Sequence, residues 1–422
     1  MIFEPKTKKT KKFGLKMKII ERKSYLARLE TLRDKNIIKA ITGVRRAGKS
    51  TVMRMFSERL VASGVSPRQI VFMNFEDVDN AKWLDDYRGA YHEIIGRLDL
   101  SKPCYVFLDE VQNVKDFERL VDGLHVKSNV DVYVTGSNAW LLSSELGTLL
   151  TGRYITIHVL PLSYAEMDSA FSEGAGGGRP SGLFQRYLEY GGMPGAVNLP
   201  ESECVAYLAD ILESIVLKDI LVRRRWHREN HFDRVSRFLF DSVGLSLSAT
   251  KIASSLQGAG MKVSHHTIGN YFDAVADAFL FYRTQRYDVR GKKLLTTQEK
   301  FYAVDIGFKR AVIGKTMLSD MGRNLENTVY LELLRRNARV YAGKADASEI
   351  DFVVQTREGL TEYYQVAFTA KETGTLAREL RPLRAVKNNY RKFLLTTDGF
   401  DGNENGIEVR DIGRWLLGAG EG

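Results

Sequence analysis

Short apolar runs rich in β-branched residues recur through the first third of the chain, with amphipathic segments between them. The runs cover residues 38–42, 69–75, 104–108, 131–135 and part of 153–167. Continuous apolar runs of this length are typical of strands that are buried on both faces. Strands that alternate with helices predict a doubly wound parallel sheet. This part of the chain is therefore predicted to be an α/β domain.

The pattern changes after residue 170. A glycine-rich segment over 171–182 predicts a surface loop, and a helix, a Gly-Gly-Met-Pro turn and a long helix follow it. Residues 244–295 predict a helix–turn–helix with helices that begin near Ser248 and Ser264, and then a basic hairpin like that of a winged helix. After this hairpin, strands and helices alternate again, which predicts a second α/β domain.

Charge and cysteine content exclude several classes of protein. The 422 residues have a net charge of +10, and six lysines and one glutamate in residues 1–16 supply half of it. Such a tail suits nucleic acid or an acidic surface, but a disordered extension is the simpler interpretation. The chain has no membrane-length apolar run and no signal peptide, so a soluble cytoplasmic protein is predicted. Two cysteines, and histidines without ligand spacing, predict neither a disulfide framework nor a zinc site.

The most specific motif follows the first strand and opens an amphipathic helix. It consists of Gly43, Val44, Arg45, Arg46, Ala47, Gly48, Lys49, Ser50 and Thr51, and matches G-x-x-x-x-G-K-[ST]. The backbone N–H groups of such a loop surround phosphate oxygens at a helix N-terminus. Lys49 is predicted to neutralise the β- and γ-phosphates, and the Ser50 hydroxyl to bind Mg²⁺. Arg45 and Arg46 could contact phosphates, but solvated loop charges are the favoured interpretation.

Polar residues end the two strands that should lie nearby. Asp109 and Glu110 follow the run over 104–108. At the carboxyl end of a parallel strand, Asp109 is predicted to hold Mg²⁺ through its water shell, and Glu110 to orient and deprotonate the attacking water. The next strand ends in Thr-Gly-Ser-Asn, where a polar side chain can sense the γ-phosphate. Asn138 is the first candidate for this role and Ser137 the second.

Together these segments resemble the AAA+ ATPases, and specifically a prokaryotic group that continues into a C-terminal domain of unknown function. The likeness rests on "GVRRAGKST", "FLDEVQNV", "TGSNAWLLS", "LTGRY", "PLSYAEM" and "YLEYGGMPGAV", in this order. It implies a protein that binds and hydrolyses ATP with Mg²⁺. It also implies that Arg153 acts on transition-state charge, within its own subunit or across a homo-oligomer. A salt bridge near the last strand is the alternative for Arg153.

The resemblance divides the chain into five parts. They are a basic tail (1–20), an AAA+ ATPase core (21–165), a helical lid (166–230), a helix–turn–helix or winged-helix module (231–295) and a restriction-endonuclease-like domain (296–422). Active members of the last fold use a helix Glu, a strand Asp and a Glu-x-Lys on the next strand. Glu326 and Asp351 match the first two, but Gln365 and Ala367 replace the Glu and the Lys, and Lys371 lies beyond the strand. The domain is therefore predicted to be an inactive nuclease.

Two segments are candidates for nucleic-acid contact. Residues 223–228 combine arginines with Trp226, although the solvated end of a helix has the same character. The second helix of the helix–turn–helix presents His265, His266, Thr267 and Asn270, together with two acids that would repel phosphates, Asp273 and Asp277. A structural or regulatory role is therefore favoured over sequence-specific DNA recognition.

The leading hypothesis is an ATP-driven switch or motor with a C-terminal platform for a protein or nucleic-acid partner. An ATP-regulated, Mg²⁺-dependent nuclease is the second hypothesis. A nucleotide-binding scaffold without turnover is the third, and Glu110 argues against it because a carboxylate beside the phosphate loop suits hydrolysis.

Overall fold

The structure is a computed structural model that describes residues 19–139, 150, 152–172, 182–227, 230–314, 320–336, 338–345 and 348–418. The chain divides into two compact units, one up to Val159 and one from Leu160 onward. Each unit contains one β-sheet. The predicted end of the ATPase core, at residue 165, lies inside a helix of the second unit (Tyr164–Ser172).

The first unit is a parallel sheet with helices on both faces. Its strands are β1 (Ile38–Thr42), β2 (Ile70–Asn74), β3 (Cys104–Asp109), β4 (Val130–Gly136) and β5 (Tyr154–His158), in the order β2-β3-β4-β1-β5. Its helices are α1 (Lys23–Leu32), α2 (Lys49–Ala62), α3 (Tyr87–Arg97) and α4 (Phe117–His125), with 3₁₀ turns at Pro67–Gln69, Val78–Trp83 and Val111–Asn113. The predicted parallel sheet is confirmed, since every pair of neighbouring strands is parallel.

Apolar side chains cover both faces of this sheet. On one face, Val106 and Val132 belong to a buried cluster that also contains Ile94 of α3 and Leu120 of α4. On the other face, the Phe56 ring of α2 packs 5.5 Å from the Tyr133 ring, measured between centroids. Burial on both faces explains why these strands read as continuous apolar runs rather than alternating ones.

One buried ion pair joins β1 to β4. The Lys39 ammonium donates to the Asp131 carboxylate, and both side chains are buried. The Tyr133 hydroxyl donates to Asp131 at 2.8 Å, and the backbone N–H of Asp34 donates to it at 2.9 Å. Burial lowers the pKa of Lys39 and raises that of Asp131, while each group opposes the shift of the other. Because every charge has a partner, the pair favours this strand pairing over alternatives.

The second unit begins with helices and continues into a large mixed sheet. Its helices are α5 (Tyr164–Ser172), α6 (Leu183–Tyr190), α7 (Pro194–Val197), α8 (Glu201–Ser214) with a π-helical continuation (Ile215–Leu221), α9 (Val222–Arg224), α10 (Asn230–Asp241), α11 (Ala249–Gly258), α12 (His265–Asp277), α13 (Ile306–Ile313), α14 (Met321–Arg335), α15 (Thr373–Ala385) and α16 (Ile412–Leu416). Its strands are β6 (Ser246–Leu247), β7 (Phe281–Asp288), β8 (Lys293–Ala303), β9 (Arg339–Ala345), β10 (Ser348–Gln355), β11 (Thr361–Val366), β12 (Arg391–Thr396), β13 (Gly402–Glu404) and β14 (Ile407–Asp411).

The predicted helix–turn–helix corresponds to α11 and α12, and the predicted hairpin to β7 and β8. Ser264 caps α12, because its hydroxyl accepts from the backbone N–H of Thr267 at 3.1 Å. Ser248 precedes α11, but its side chain makes no capping hydrogen bond. The hairpin is part of a nine-stranded sheet in the order β13-β14-β12-β11-β10-β9-β7-β8-β6, since β7 pairs in parallel with β9. The predicted domain boundary between 295 and 296 consequently falls inside β8.

A buried carboxylate connects the Gly-Gly-Met-Pro turn with the start of α13. Asp305 accepts from the backbone N–H of Gly192 at 2.7 Å and from that of Gly307 at 2.8 Å. Gly191 has a φ of 73°, and a Cβ there would lie 1.8 Å from Asp305 Oδ1. Burial raises the pKa of Asp305 to about 7, although the two backbone donors favour the ionised form. The Asp305 carboxylate thus links two segments that are more than a hundred residues apart in the chain.

We expect the buried Asp305 carboxyl group to make the free energy of unfolding depend on pH. Asp305 has a higher pKa folded than unfolded, so its contribution is fully present below about pH 4 and decreases as the pH rises towards 7. Asp305→Asn removes the titration. The difference in unfolding free energy between wild type and variant should therefore fall by about 1 kcal/mol per pH unit between pH 5 and 7. Urea unfolding followed by circular dichroism measures it, and a difference that does not change with pH would contradict the assignment.

Candidate functional site

The loop between β1 and α2 has a backbone that requires glycine at two positions. Gly43 has a φ of 143°, and a Cβ there would lie 2.2 Å from the carbonyl oxygen of Val159. Gly48 has a φ of 100° and is the residue directly before α2. Both φ values lie where side chains other than glycine are strained. The loop is closed by a hydrogen bond from the N–H of Ala47 to the carbonyl oxygen of Val44, at 3.1 Å.

Lys49 is the first residue of α2, and its ammonium lies inside this loop. The side chain is buried and donates to the carbonyl oxygens of Gly43 at 3.0 Å and Val44 at 3.3 Å. The same ammonium is 3.7 Å from Glu110 Oε1. The structure therefore brings the lysine of the motif close to Glu110, the residue that follows β3.

Three side chains meet at the carboxyl ends of the central strands. Ser50 Oγ donates to Asp109 Oδ1 at 3.0 Å, and Thr135 Oγ1 donates to the same oxygen at 2.6 Å. Burial raises the pKa of Asp109, and the bonds from Thr135 and Ser50 partly offset this shift. The carboxylate is held between the first turn of α2 and the end of β4.

Glu110 follows β3 in a left-handed conformation with a φ of 51°. Its backbone N–H donates to Thr135 Oγ1 at 2.8 Å, and its carboxylate accepts from Gln112 Nε2 at 2.5 Å. A non-glycine residue with a positive φ costs about 1–2 kcal/mol unless its surroundings hold it there. The hydrogen bonds of the Glu110 backbone N–H and of its carboxylate hold the residue in this conformation.

Comparison with known proteins shows the family to which the chain belongs. A family model described as an AAA domain matches residues 35–168, and one described as a domain of unknown function (DUF8612) matches residues 181–319. An uncharacterised protein of Haemophilus influenzae is 37% identical over 94% of this chain and 99% of its own length. The chain belongs to the AAA+ ATPases, in the same family as this relative. The five-stranded sheet, the loop and the two acids all lie in the part of the chain that the AAA domain model covers.

Two more distant proteins also match, one by sequence and one by fold. An uncharacterised protein of Methanocaldococcus jannaschii is 25% identical over 90% of this chain and 88% of its own length. The structure of a Walker-type ATPase of Pyrococcus abyssi matches with a TM-score of 0.50 and 13% identity, over 70% of this chain and 96% of that one.

Ser137 and Asn138 lie directly after β4 in the AAA+ core, and both are buried. They were the two candidates for a polar residue at the tip of this strand. Thr135, two positions before Ser137, contacts both acids. The sequence shows a threonine near the end of this strand. Only the structure shows that its hydroxyl points towards the end of the neighbouring strand β3.

The arginines of the core lie near its surface or against the loop. Arg153 is 51% exposed and forms an ion pair with Asp122 of α4 at 2.7 Å, which is the salt bridge named as its alternative role. Arg45 pairs with Glu76 at 3.0 Å. Arg22, which sequence reasoning missed, is buried and donates to the carbonyl oxygen of Ala47 at 3.1 Å. A contact across 25 residues between an arginine and a backbone oxygen leaves no local pattern to recognise.

A second residue that the sequence did not reveal is His158, at the end of β5. Its Nδ1 is 3.2 Å from Thr42 Oγ1. Burial, with a smaller contribution from the Lys49 charge, lowers the pKa of His158 to about 4. The ring is therefore neutral at physiological pH and adds no positive charge beside the loop.

One of the two carboxylates matched to a nuclease, Glu326, is bound by a lysine from the hairpin, which also contacts the neighbouring acid Glu349. Lys300 of β8 has its ammonium 3.1 Å from Glu326 Oε1 and 2.7 Å from Glu349 Oε1. The Tyr302 hydroxyl also donates to Glu326, at 2.6 Å. Burial favours a neutral Lys300, but the carboxylates of Glu326, Asp351 and Glu349 outweigh it and raise its pKa.

The residues at the other two nuclease positions have structural contacts. Gln365 Oε1 accepts from the backbone N–H of Asp351 at 3.4 Å, and the Asp351 carboxylate accepts from the N–H of Val366 at 2.8 Å. The backbone N–H of Ala367 donates to the carbonyl oxygen of Leu395 at 2.9 Å. Within the part of the chain that the structure describes, no group of three or more His, Cys, Asp or Glu side chains could hold a metal ion.

The acids of the helix–turn–helix are paired with arginines. Asp277 pairs with Arg224, and Asp273 with Arg283 of β7. The Trp226 ring packs edge-on against Tyr271, at 5.5 Å between centroids. Part of the arginine and tryptophan cluster therefore contacts α12 itself, while residues 228 and 229 lie outside the described residues.

Helix length and polarity give one further result. Over the described residues, no helix is both long enough and apolar enough to cross a membrane.

We expect Lys300 to stabilise the second unit. Lys300→Met should lower its unfolding free energy by about 2–4 kcal/mol, because it leaves the largely buried Glu326 carboxylate without its ion pair. Urea unfolding measures the loss. Lys293→Met is the matched control, since Lys293 lies on the same strand with an exposed side chain. Equal stability of the two variants would show that the ion pair contributes nothing.

Proposed function

We propose that this protein hydrolyses ATP with Mg²⁺ at the Gly43–Ser50 loop and works as a nucleotide-driven switch or motor. The observation that supports this most strongly is the convergence of four side chains at one edge of the sheet. Lys49 lies 3.7 Å from Glu110, and Ser50 lies 3.0 Å from Asp109. A loop for phosphates, oxygen ligands for a cation and an acid for water are the groups that phosphoryl transfer to water needs.

The residues present suit a magnesium-bound nucleotide. Mg²⁺ prefers oxygen ligands and keeps several of its waters, so one or two protein oxygens are sufficient. Ser50 Oγ and Asp109 Oδ1 are such oxygens, and they already lie in contact. A Cβ at Gly43 would meet the Val159 carbonyl, so glycine is needed for the loop to curve around a phosphate group. Ser50 and Asp109 would hold the ion, which supplies positive charge beside the phosphate oxygens.

Each side chain then has a role in the reaction. The Lys49 ammonium and the backbone N–H groups at the start of α2 neutralise and orient the phosphates. The Glu110 carboxylate orients the attacking water and accepts its proton. Neutral His158 adds no further positive charge beside Lys49. Asn138 and Ser137, at the end of β4, are proposed to contact the γ-phosphate.

We further propose that the second unit is a platform for a protein or nucleic-acid partner. The Lys300 ammonium contacts Glu326, one of the two acids with which an active nuclease of this fold would bind a divalent cation, and it also contacts Glu349. This arrangement supports binding rather than cleavage as the role of the unit.

Turnover of ATP by two variants tests the proposal. Glu110→Gln should retain ATP binding and lose about 100-fold or more in kcat, because an amide cannot accept the proton from water. Lys49→Ala should weaken ATP binding itself, because the phosphates lose their charged partner. Phosphate release and the affinity for a fluorescent ATP analogue measure these two effects.

The matched control for these variants is Glu58→Gln, an exposed acid on α2, which should behave as wild type. Equal and negligible turnover by wild type and Glu110→Gln would indicate the alternative of a scaffold that binds nucleotide without hydrolysing it.

A second test addresses Arg153 and assembly. We propose that Arg153 leaves its exposed ion pair with Asp122 to act on the nucleotide of its own or a neighbouring subunit, since exposed pairs are weak. Arg153→Ala should then lower kcat about 10-fold or more, whereas Asp122→Asn should not. Equal losses in both variants would assign Arg153 to the salt bridge alone. Sedimentation with ATP shows whether the active species is a homo-oligomer.

A further inference from the structure

Thr135 lies between the phosphate loop and the acids because of the strand order. Strand β4 pairs with β1 on one side and with β3 on the other, and Thr135 is aligned with Ile41 of β1. β1 leads into the loop and β3 leads into Asp109 and Glu110. A side chain near the carboxyl end of β4 is therefore placed between both parts of the site. The Thr135 side chain is fully buried there.

One hydroxyl group makes two hydrogen bonds at this point. Thr135 Oγ1 donates to Asp109 Oδ1 at 2.6 Å and accepts from the backbone N–H of Glu110 at 2.8 Å. A hydroxyl has one hydrogen to donate, so accepting from Glu110 and donating to Asp109 are compatible and complementary. The bond to the carboxylate is short, as expected when the acceptor is charged.

The two bonds act on different features of the acids. The bond to Asp109 orients its carboxylate, together with the bond that Ser50 donates to the same oxygen. The bond to Glu110 holds its backbone at a φ of 51°. With that backbone, the Glu110 carboxylate reaches Gln112 at 2.5 Å and lies 3.7 Å from the Lys49 ammonium.

We infer that Thr135 is a positioning residue for both acids, and that its hydroxyl couples the cation ligand Asp109 to the base Glu110. The inference rests on the proposed ATP hydrolysis and names a residue that acts through these two acids. A cation at Asp109 draws on the same carboxylate that receives the Thr135 hydrogen, and the oxygen of this hydroxyl holds Glu110. A cation at Asp109 thereby influences the position of the base Glu110 through the Thr135 hydroxyl.

Removal of the hydroxyl at constant shape tests this role. Thr135→Val keeps the β-branched side chain but loses both hydrogen bonds, and Thr135→Ser keeps the hydroxyl. We expect Thr135→Val to lower kcat about 10-fold or more. It should also raise the Mg²⁺ concentration at half-maximal turnover, because Asp109 loses a hydrogen bond that orients its carboxylate. Thr135→Ser should recover most of the turnover and the Mg²⁺ dependence of wild type.

Two further measurements separate positioning from packing. The affinity for a fluorescent ADP analogue without Mg²⁺ should stay within about twofold of wild type in Thr135→Val, because the phosphate loop is unchanged. Thr328→Val removes a buried threonine hydroxyl from the second unit, where it bonds to the carbonyl oxygen of Asn324, and should leave turnover unchanged. If Thr135→Val does not fold, Thr135→Ala provides the same hydroxyl-free comparison.

Three results bear on the inference in different ways. Wild-type kcat and Mg²⁺ dependence in Thr135→Val would overturn it. So would a Thr135→Ser variant that is as impaired as Thr135→Val, because packing of the methyl group would then be the cause. A wild type without turnover would count against the proposed hydrolysis. In that case the Mg²⁺ dependence of nucleotide affinity in the same variants still decides whether Thr135 positions Asp109.

Discussion

The position of strand β4, between β1 and β3, is the constraint on which the nucleotide site depends. Parallel pairing brings the carboxyl ends of the three strands to one edge of the sheet. The loop follows one outer strand of this trio and the acids follow the other, so a full strand separates them. Side chains must bridge that separation, and Ser50, Lys49 and Thr135 do so from two different elements. The geometry of the site is therefore a property of the sheet more than of either motif.

Buried polar groups join segments that are distant in the chain. Lys39 and Asp131 join two strands of the first unit, Lys300 and Glu326 join the hairpin to a helix of the second, and Asp305 holds a turn. Each of these contacts joins residues that lie far apart in the chain. Buried ion pairs add little net stability compared with apolar groups of the same shape, but an unpaired member is costly. Such groups therefore penalise wrong pairings of elements, and the native arrangement satisfies each of them.

Local patterns in the sequence predicted those features that local chemistry determines. The apolar runs identified the strands of the first sheet, since burial on both faces leaves few polar residues in them. The glycine spacing identified the loop, because Gly43 and Gly48 adopt backbone angles that other residues avoid. Asp109 and Glu110 were found because they directly follow a strand. Features that depend on pairing between distant segments were not predicted.

Thr135, Arg22 and His158 illustrate this limit. The hydroxyl of Thr135 matters only because β3 is its neighbour, and Arg22 reaches a backbone oxygen that has no sequence signature. His158 is neutral because of surroundings contributed by several elements. The domain boundary at 295 followed the resemblance to a winged helix and a nuclease-like domain, which does not report that β8 continues across it into the sheet. The lysine opposite Glu326 likewise comes from a segment that was assigned to another module.

The pairing of β7 with β9 also limits how genes of this family can recombine. The hairpin strand shares hydrogen bonds with residues 342–344, across a stretch that includes two helices. An exchange of coding sequence between the hairpin and β9 would join strands selected for different neighbours, and an imperfect match would leave backbone groups unpaired at a new sheet edge. Such edges recruit other chains and lead to aggregation. The strands from Phe281 to Asp411 are therefore expected to be inherited as one block.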